Sequence, residues 1–227
     1  MLFSIFSVFT SAAAVSAAAL PSSSSSSEKR GGGSISITPH DRWSSSIGVL
    51  GCKINPDRVA YWPSAPSCNN ICVKVSANGR SVHLLKVDQS GGAHDISYDA
   101  WNYLSTGQSA TAHPTYGGGI PATWEDAPMS ACASLIREPH GRLAFSAANS
   151  MNFISSCPAG SWVAEHHALY NIANSACTYG FDEVCTMPPP SEGNQAKCPH
   201  QLGRQDPLKS QPVWNIDYGT GKKSLAQ

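Results

Sequence analysis

The sequence predicts a mostly β fold held by disulfides, and three observations carry that prediction. Charged residues make up 13% of the chain, about half the usual share, while 19 glycines and 16 prolines cut it into short segments. Eight cysteines, an even number, include no Cys-x-x-Cys pair. Cys72-Val73-Lys74-Val75 alternates apolar and polar residues as a half-buried strand does, and the Asn78-Gly79 that follows tolerates the positive φ of a tight hairpin turn. A length of 227 residues allows one domain with a substantial core. Lys+Arg and Asp+Glu are both 15, so no basic excess exists to displace counterions, which argues against a nucleic-acid partner. We expect a monomer.

The chain opens with address signals. Leu2 to Val15 is an uncharged apolar run, followed by Ser16-Ala17-Ala18-Ala19, small residues that suit signal cleavage; residues 1–19 therefore read as a signal peptide. The run is too short and too rich in Ser and Ala to span a bilayer, and no other stretch is long enough, so no membrane association is expected. Residues 20–30 read as a Ser-rich propeptide ending in Lys29-Arg30, which resembles the site of a kexin-type processing protease. The mature chain then starts at Gly31 and is secreted and extracellular. Export places Cys52, Cys68, Cys72, Cys132, Cys157, Cys177, Cys185 and Cys198 in an oxidising compartment, where four disulfides are expected. Of the 105 possible connectivities, a small Cys177–Cys185 loop is the best single guess. A rival metal reading draws on Cys198-Pro199-His200 and His166-His167, whose spacings match no zinc template; we expect no metal and no cofactor.

Residues 31–46 are Gly/Ser-rich and read as a flexible N-terminal segment; the folded domain is expected over 47–220, with a tail at 221–227. Val49–Ile54 and Val59–Trp62 are short β-type runs separated by Asn55-Pro56-Asp57. Val82–Val87 returns from the Asn-Gly turn. Ile96, Ala100, Tyr103 and Leu104 fall at helical spacing, with Ser97 placed to cap and Asp99 in the first turn. Residues 107–128 read as a long loop, Ser146–Cys157 as a helix, Ala168–Ile172 as β, 173–212 as disulfide-held loops and Pro212–Tyr218 as a last strand.

Cys72-Val73-Lys74-Val75, Asn78-Gly79-Arg80-Ser81-Val82, Val87-Asp88-Gln89, Asp95-Ile96-Ser97 and Ala100-Trp101 together resemble the double-psi β-barrel of the barwin, expansin and kiwellin group. The resemblance implies a six-stranded barrel with short helices and disulfide-held loops. The whole chain is similar in texture to small secreted fungal proteins of the effector-candidate or cell-wall kind. Two departures stand out. Ser90 occupies the place of a cysteine in the barwin and expansin pattern, and His94 directly precedes Asp95 where expansins have an intervening Phe. The carbohydrate-binding second domain of expansins is not visible.

Asp88 and Asp95 are the candidate catalytic pair. Two carboxylates across a groove are what glycosidic cleavage needs, and the resemblance implies that some barrels of this class use an Asp near Asp95. Glu125 and Asp126 are further candidates for the second carboxylate. The competing reading is structural: Asp95 can cap a helix, and Asp88 can bridge loop amides or pair with Arg80. His94 and His83 are candidate acid/base groups on pKa grounds. Tyr61, Trp62 and Tyr98, with His94, form a candidate ligand platform, since flat aromatic faces stack on sugars, whereas Trp101 is expected to pack in the core. No nucleophile elbow, phosphate loop or nucleotide fingerprint occurs. Three functions follow from these residues. The first is a non-enzymatic secreted barrel that binds a cell-wall polysaccharide or an extracellular host protein. The second is a glycan-cleaving enzyme using Asp95 with Asp88. The third is a protease inhibitor presenting the 107–128 loop.

Overall fold

The computed structural model describes Met1 and residues 31–227; apart from Met1, the expected signal peptide and propeptide lie outside the described residues. The centre of the fold is a closed six-stranded barrel: β1 (Gly32–His40), β2 (Val59–Trp62), β3 (Cys72–Ala77), β4 (Arg80–Gln89), β5 (His94–Ser97) and β6 (Ile120–Asp126). Its strand order is β1-β5-β2-β4-β3-β6, closing back on β1. β1/β5 and β2/β4 are parallel pairs and the other four neighbours are antiparallel, which is the double-psi arrangement.

The β3–β4 hairpin forms where the local signals put it. Asn78 and Gly79 take φ of 51° and 74°, the left-handed pair that lets a two-residue turn follow the strand twist. The helix α1 (Tyr98–Thr106) begins at Ser97, as expected, but the Ser97 hydroxyl does not cap it. It accepts the Val59 N–H at 2.7 Å and so ties β5 to β2.

Two expectations at the barrel seam are corrected. Residues 31–46 are not loose: most of the segment is β1, in which Ile35 and Ile37 alternate with outward serines, and Trp43 beyond it is buried with its N–H on Asn215 Oδ1 at 2.8 Å. The 107–128 stretch is not all loop, because its second part is β6, which pairs with β1 from Gly32↔Glu125 to Ile37↔Ile120 and closes the barrel. Glycine at the start of β1 reflects crowding. A Cβ on Gly31 would lie 2.8 Å from Trp124 Cη2.

A second layer follows: β7 (Leu143–Ser146), α2 (Met151–Ser156), α3 (Trp162–Glu165), β8 (His167–Ile172) and β9 (Gly180–Cys185). β7-β8-β9 make a three-stranded sheet. The hairpin β10 (Trp214–Ile216) and β11 (Lys223–Leu225) ends the chain, so the expected tail contributes a strand. Two apolar clusters result. Ile37, Ala60, Trp62, Val73, Val75, Leu84 and Ile96 fill the barrel with α1's Trp101 and Leu104. Val59, Tyr61, Leu85 and Val87 point the other way and pack on Leu143, Phe145, Leu169 and Ile172 of the second sheet. β2 is thus covered on both faces, each large apolar side chain contributing about 1.5–3 kcal/mol on burial.

The eight cysteines form four disulfides: Cys52–Cys177, Cys68–Cys157, Cys72–Cys132 and Cys185–Cys198. The expected Cys177–Cys185 pair is therefore wrong. Gly180–Cys185 is an extended strand, about 16 Å long at ~3.3 Å per residue, and it carries Cys185 away from Cys177. Cys177 instead anchors the turn before β9 to Cys52 beside the barrel.

Candidate functional site

The register places Tyr61 of β2 between the two candidate carboxylates, opposite Asp95 on one side and Asp88 on the other. Two strand spacings put their Cα atoms about 10 Å apart. Asp88 is buried, and its carboxylate accepts the Ser46 and Gln89 N–H groups, each at 2.8 Å, as well as the Ser44 hydroxyl. It is a clamp for the loop after β1. Arg80, its suggested partner, lies at the other end of β4 and donates to Leu104 O at 3.3 Å. Asp95 accepts the Thr38 hydroxyl across the β1/β5 pair. Of the other carboxylates weighed, Glu125 is exposed and pairs with Lys74 at 3.0 Å, and Asp126 is buried and accepts the Gly31 N–H at 2.7 Å.

The candidate aromatic platform is buried. Tyr61, Trp62 and Tyr98 are 3%, 1% and 2% exposed, so none offers a face to a sugar. Tyr61 packs on His40 with ring centroids 4.4 Å apart, and burial beside the Asp88 charge pushes its hydroxyl pKa far above the ordinary value, against a Ser44 backbone hydrogen bond. Trp62 sits in the barrel between His94 and Trp124, at 5.4 and 4.7 Å, with the buried Lys86 ammonium 5.5 Å from its ring. Tyr98 donates to Thr115 O at 2.7 Å and accepts the Gly219 N–H at 3.1 Å, pinning the loop after α1 to the C-terminal turn. His94 is half-buried and its pKa is lowered by that burial, with Asp95 opposing. His83 stands opposite Lys74 on the β3–β4 ladder. Trp101 is buried, as its helical position implies.

An open cleft forms elsewhere, where the turn before β2 meets the C-terminal hairpin. It encloses about 240 Å³ and is lined by Asp57, Arg137, Gln211, Trp214 and Lys223 among others. Asp57 is held by an Asx turn, its N–H on Asn55 Oδ1 at 3.1 Å. Burial raises the Asp57 pKa, and the nearby Asp99 charge adds to that rise; Arg58, Lys223 and Arg137 oppose it. Trp214 is 42% exposed on β10 and Lys223 stands opposite Ile216 on β11. An exposed indole beside an acid, a guanidinium, an ammonium and an amide is the equipment for stacking on a sugar ring and hydrogen-bonding its hydroxyls.

None of the cleft residues was singled out from the sequence as a ligand contact. Asp57 reads there as part of a turn and Trp214 as one position of an alternating strand. Only the fold brings them to Arg137 and Lys223. Among the described residues no group of three His, Cys, Asp or Glu side chains could hold a metal ion. Cys198 is bonded to Cys185, and His200 Nδ1 lies 2.7 Å from Glu183. No helix among the described residues is long and apolar enough to cross a membrane.

No family model matches the chain, and no curated protein matches it. Among solved structures it is similar to cerato-platanin 3 from M. perniciosa, with 15% identity and a TM-score of 0.33, over 44% of this chain and 98% of that one. The double-psi barrel is established by the strand order itself.

Proposed function

We propose that this is a secreted, disulfide-bonded barrel that works without catalysis, at a cell wall or in a host apoplast, by binding a polysaccharide in the Trp214 cleft. The observation that carries the reading is that cleft: an exposed indole flanked by Asp57, Arg137, Gln211 and Lys223. Four disulfides support an extracellular setting, since such bonds persist in oxidising compartments. The structural hydrogen bonds of Asp88 to the loop after β1 and of Asp95 to Thr38 speak against a catalytic use of that pair.

The test is a panel of chitin, β-glucan, cellulose and peptidoglycan incubated with the oxidised protein, scoring retention and released sugar ends together. Retention that falls about tenfold in Trp214→Ala, with no released ends, supports the proposal. A host protein captured by the same face, with no retention on any glycan, overturns the polysaccharide and keeps the binder.

One observation favours a second reading, glycan cleavage. A carboxyl with a raised pKa in an open cleft is suited to act as a general acid. The carboxylate whose charge adds to that rise, Asp99, is ion-paired with Arg58 at 2.7 Å, so a matching base would have to come with the substrate or a water. Released ends that disappear in Asp57→Asn would establish this reading and end the first.

A further inference from the structure

The first residue of the expected mature chain is also the residue that hydrogen-bonds a buried carboxylate. Gly31 N donates to Asp126 Oδ2 at 2.7 Å, and Asp126 N donates back to Gly31 O at 2.9 Å. Asp126 is 8% exposed, and its second oxygen, Oδ1, is buried with no hydrogen-bond partner among the described residues. A buried carboxylate with half its acceptors idle is costly. A peptide nitrogen at Gly31 offers one N–H; a chain terminus there would offer an ammonium with three donors and a full charge.

The fit is close. A Cβ at position 31 would lie 2.8 Å from Trp124 Cη2 and 3.0 Å from Asp126 Oδ2, so glycine alone lets the nitrogen sit flush on the carboxylate. The residues immediately before it are Lys29-Arg30.

We propose that hydrolysis of the Arg30–Gly31 bond is a maturation step that seats a new Gly31 α-ammonium on Asp126 and locks the β1/β6 seam of the barrel with a buried ion pair. Water adds across the amide. Arg30 departs with the carboxylate, and Gly31 keeps the nitrogen, which takes up a proton. The agent is a protease specific for paired basic residues. Because β1 and β6 are the strands that close the barrel, the ion pair stabilises closure at the end where β1 begins. The proposal shares with the extracellular reading only the meeting with such a protease, and its test involves no glycan, so the two can fail separately.

The charges around this site are Lys86 of β4, which Asp126 helps to keep protonated against burial, the Lys74–Glu125 pair across β3 and β6, and His94 of β5 beside Trp62. All are present before and after cleavage, so the pH dependence of the difference between the two forms reports the new amine. An α-amine titrates at about 7.7–8.0 in an unfolded chain. Pairing with Asp126 raises that value in the fold. The added stability is therefore complete below the unfolded value and is lost as pH rises through the folded one.

The full chain would be expressed in a secretory host that cleaves paired basic sites, beside the uncleavable Lys29→Ala/Arg30→Ala variant. The secreted protein should begin at Gly31 by mass. At pH 6 it should melt about 3–6 °C above the uncleaved form, a gap that closes by pH 10. Asp126→Asn should abolish the gap. Should that variant fold poorly, the wild-type mature chain still reports through its α-amine, which should resist acylation when folded and react when unfolded. A different first residue, equal melting at pH 6, or a freely reactive α-amine in the folded protein each overturns the proposal.

Discussion

Arg58 Nη1 lies 2.7 Å from Asp99 Oδ2, joining the approach to β2 to the first turn of α1. Asp99 is buried and uses its other oxygen to accept the Ala110 N–H at 2.7 Å, so one carboxylate fixes the helix, the strand and the loop that leaves the helix. Breaking such a pair strands a charge. Arg58→Ala should cost about 3 kcal/mol. For a chain of this size that is a fall of roughly 6–12 °C in melting temperature. The exposed Arg204–Asp206 pair, also at 2.7 Å, is the control. Arg204→Ala should change stability by less than about 1 kcal/mol, because solvent screens it. Equal losses in the two variants would mean that burial of Asp99 carries no weight.

The disulfides should differ in worth. Cys185–Cys198 spans 13 residues in the loop-rich segment, whereas Cys72–Cys132 spans 60 and both its cysteines are wholly buried against the barrel. Loop-closure entropy assigns about 3 kcal/mol to the short loop and about 4–5 to the long one. The Cys185→Ser/Cys198→Ser protein should fold and be secreted. The Cys72→Ser/Cys132→Ser protein should lose more, because two hydroxyls then occupy an apolar site. Denaturant midpoints of the two variants decide this, and a reductant should sharply lower the melting temperature of the parent.

The parts of the fold that were legible share a local cause. Cys72 to Leu104 announces itself because period-two alternation, an Asn-Gly turn and helical spacing act over a few residues. β1 and β6 do not, because their reason for being strands is each other. Ser34-Ile35-Ser36-Ile37 does alternate, but the flanking glycines resemble a linker until Trp124 is placed against them. The burial of Tyr61 and Trp62 was hidden for a related reason: a strand with one face in the barrel and the other under a second sheet has no solvent side. The cleft was the least legible part, since Asp57, Arg137, Trp214 and Lys223 meet only through the closed barrel and the last hairpin.

Asp57 should be a net burden to the folded protein at neutral pH. Its pKa is raised above the ordinary carboxylate value, by burial first and by the Asp99 charge second. A raised acid binds its proton more tightly when folded, so its stabilising effect is complete below the unfolded pKa and is lost as pH climbs through the folded one. Asp57→Asn should therefore melt higher than the parent at pH 7, and the gain should fade toward pH 3. Arg137→Ala and Lys223→Ala remove cations that oppose the rise and should move the Asp57 titration, followed by carboxyl NMR shifts, further up. A neutral-pH loss in Asp57→Asn would show that the carboxylate form is needed by the fold.

Asp88 and Asp95 should separate when tested for stability. Asp88 takes three donors, two of them backbone N–H groups, and a carboxylate can serve all three at once. Asn keeps an oxygen for the two N–H groups, which share Oδ1, but turns its NH₂ toward the Ser44 hydroxyl on the Oδ2 side and removes the charge that strengthens all three bonds. Asp88→Asn should thus cost about 2–3 kcal/mol and loosen residues 44–46, visible as faster amide exchange at Ser46. Asp95 accepts a single hydroxyl from Thr38, and an amide oxygen can replace that contact. Asp95→Asn should cost no more than about 1 kcal/mol. If Asp95 proved the more costly position, its place opposite Tyr61 would have to hold a strained or solvent-facing charge. The barrel end would then return as a candidate for chemistry.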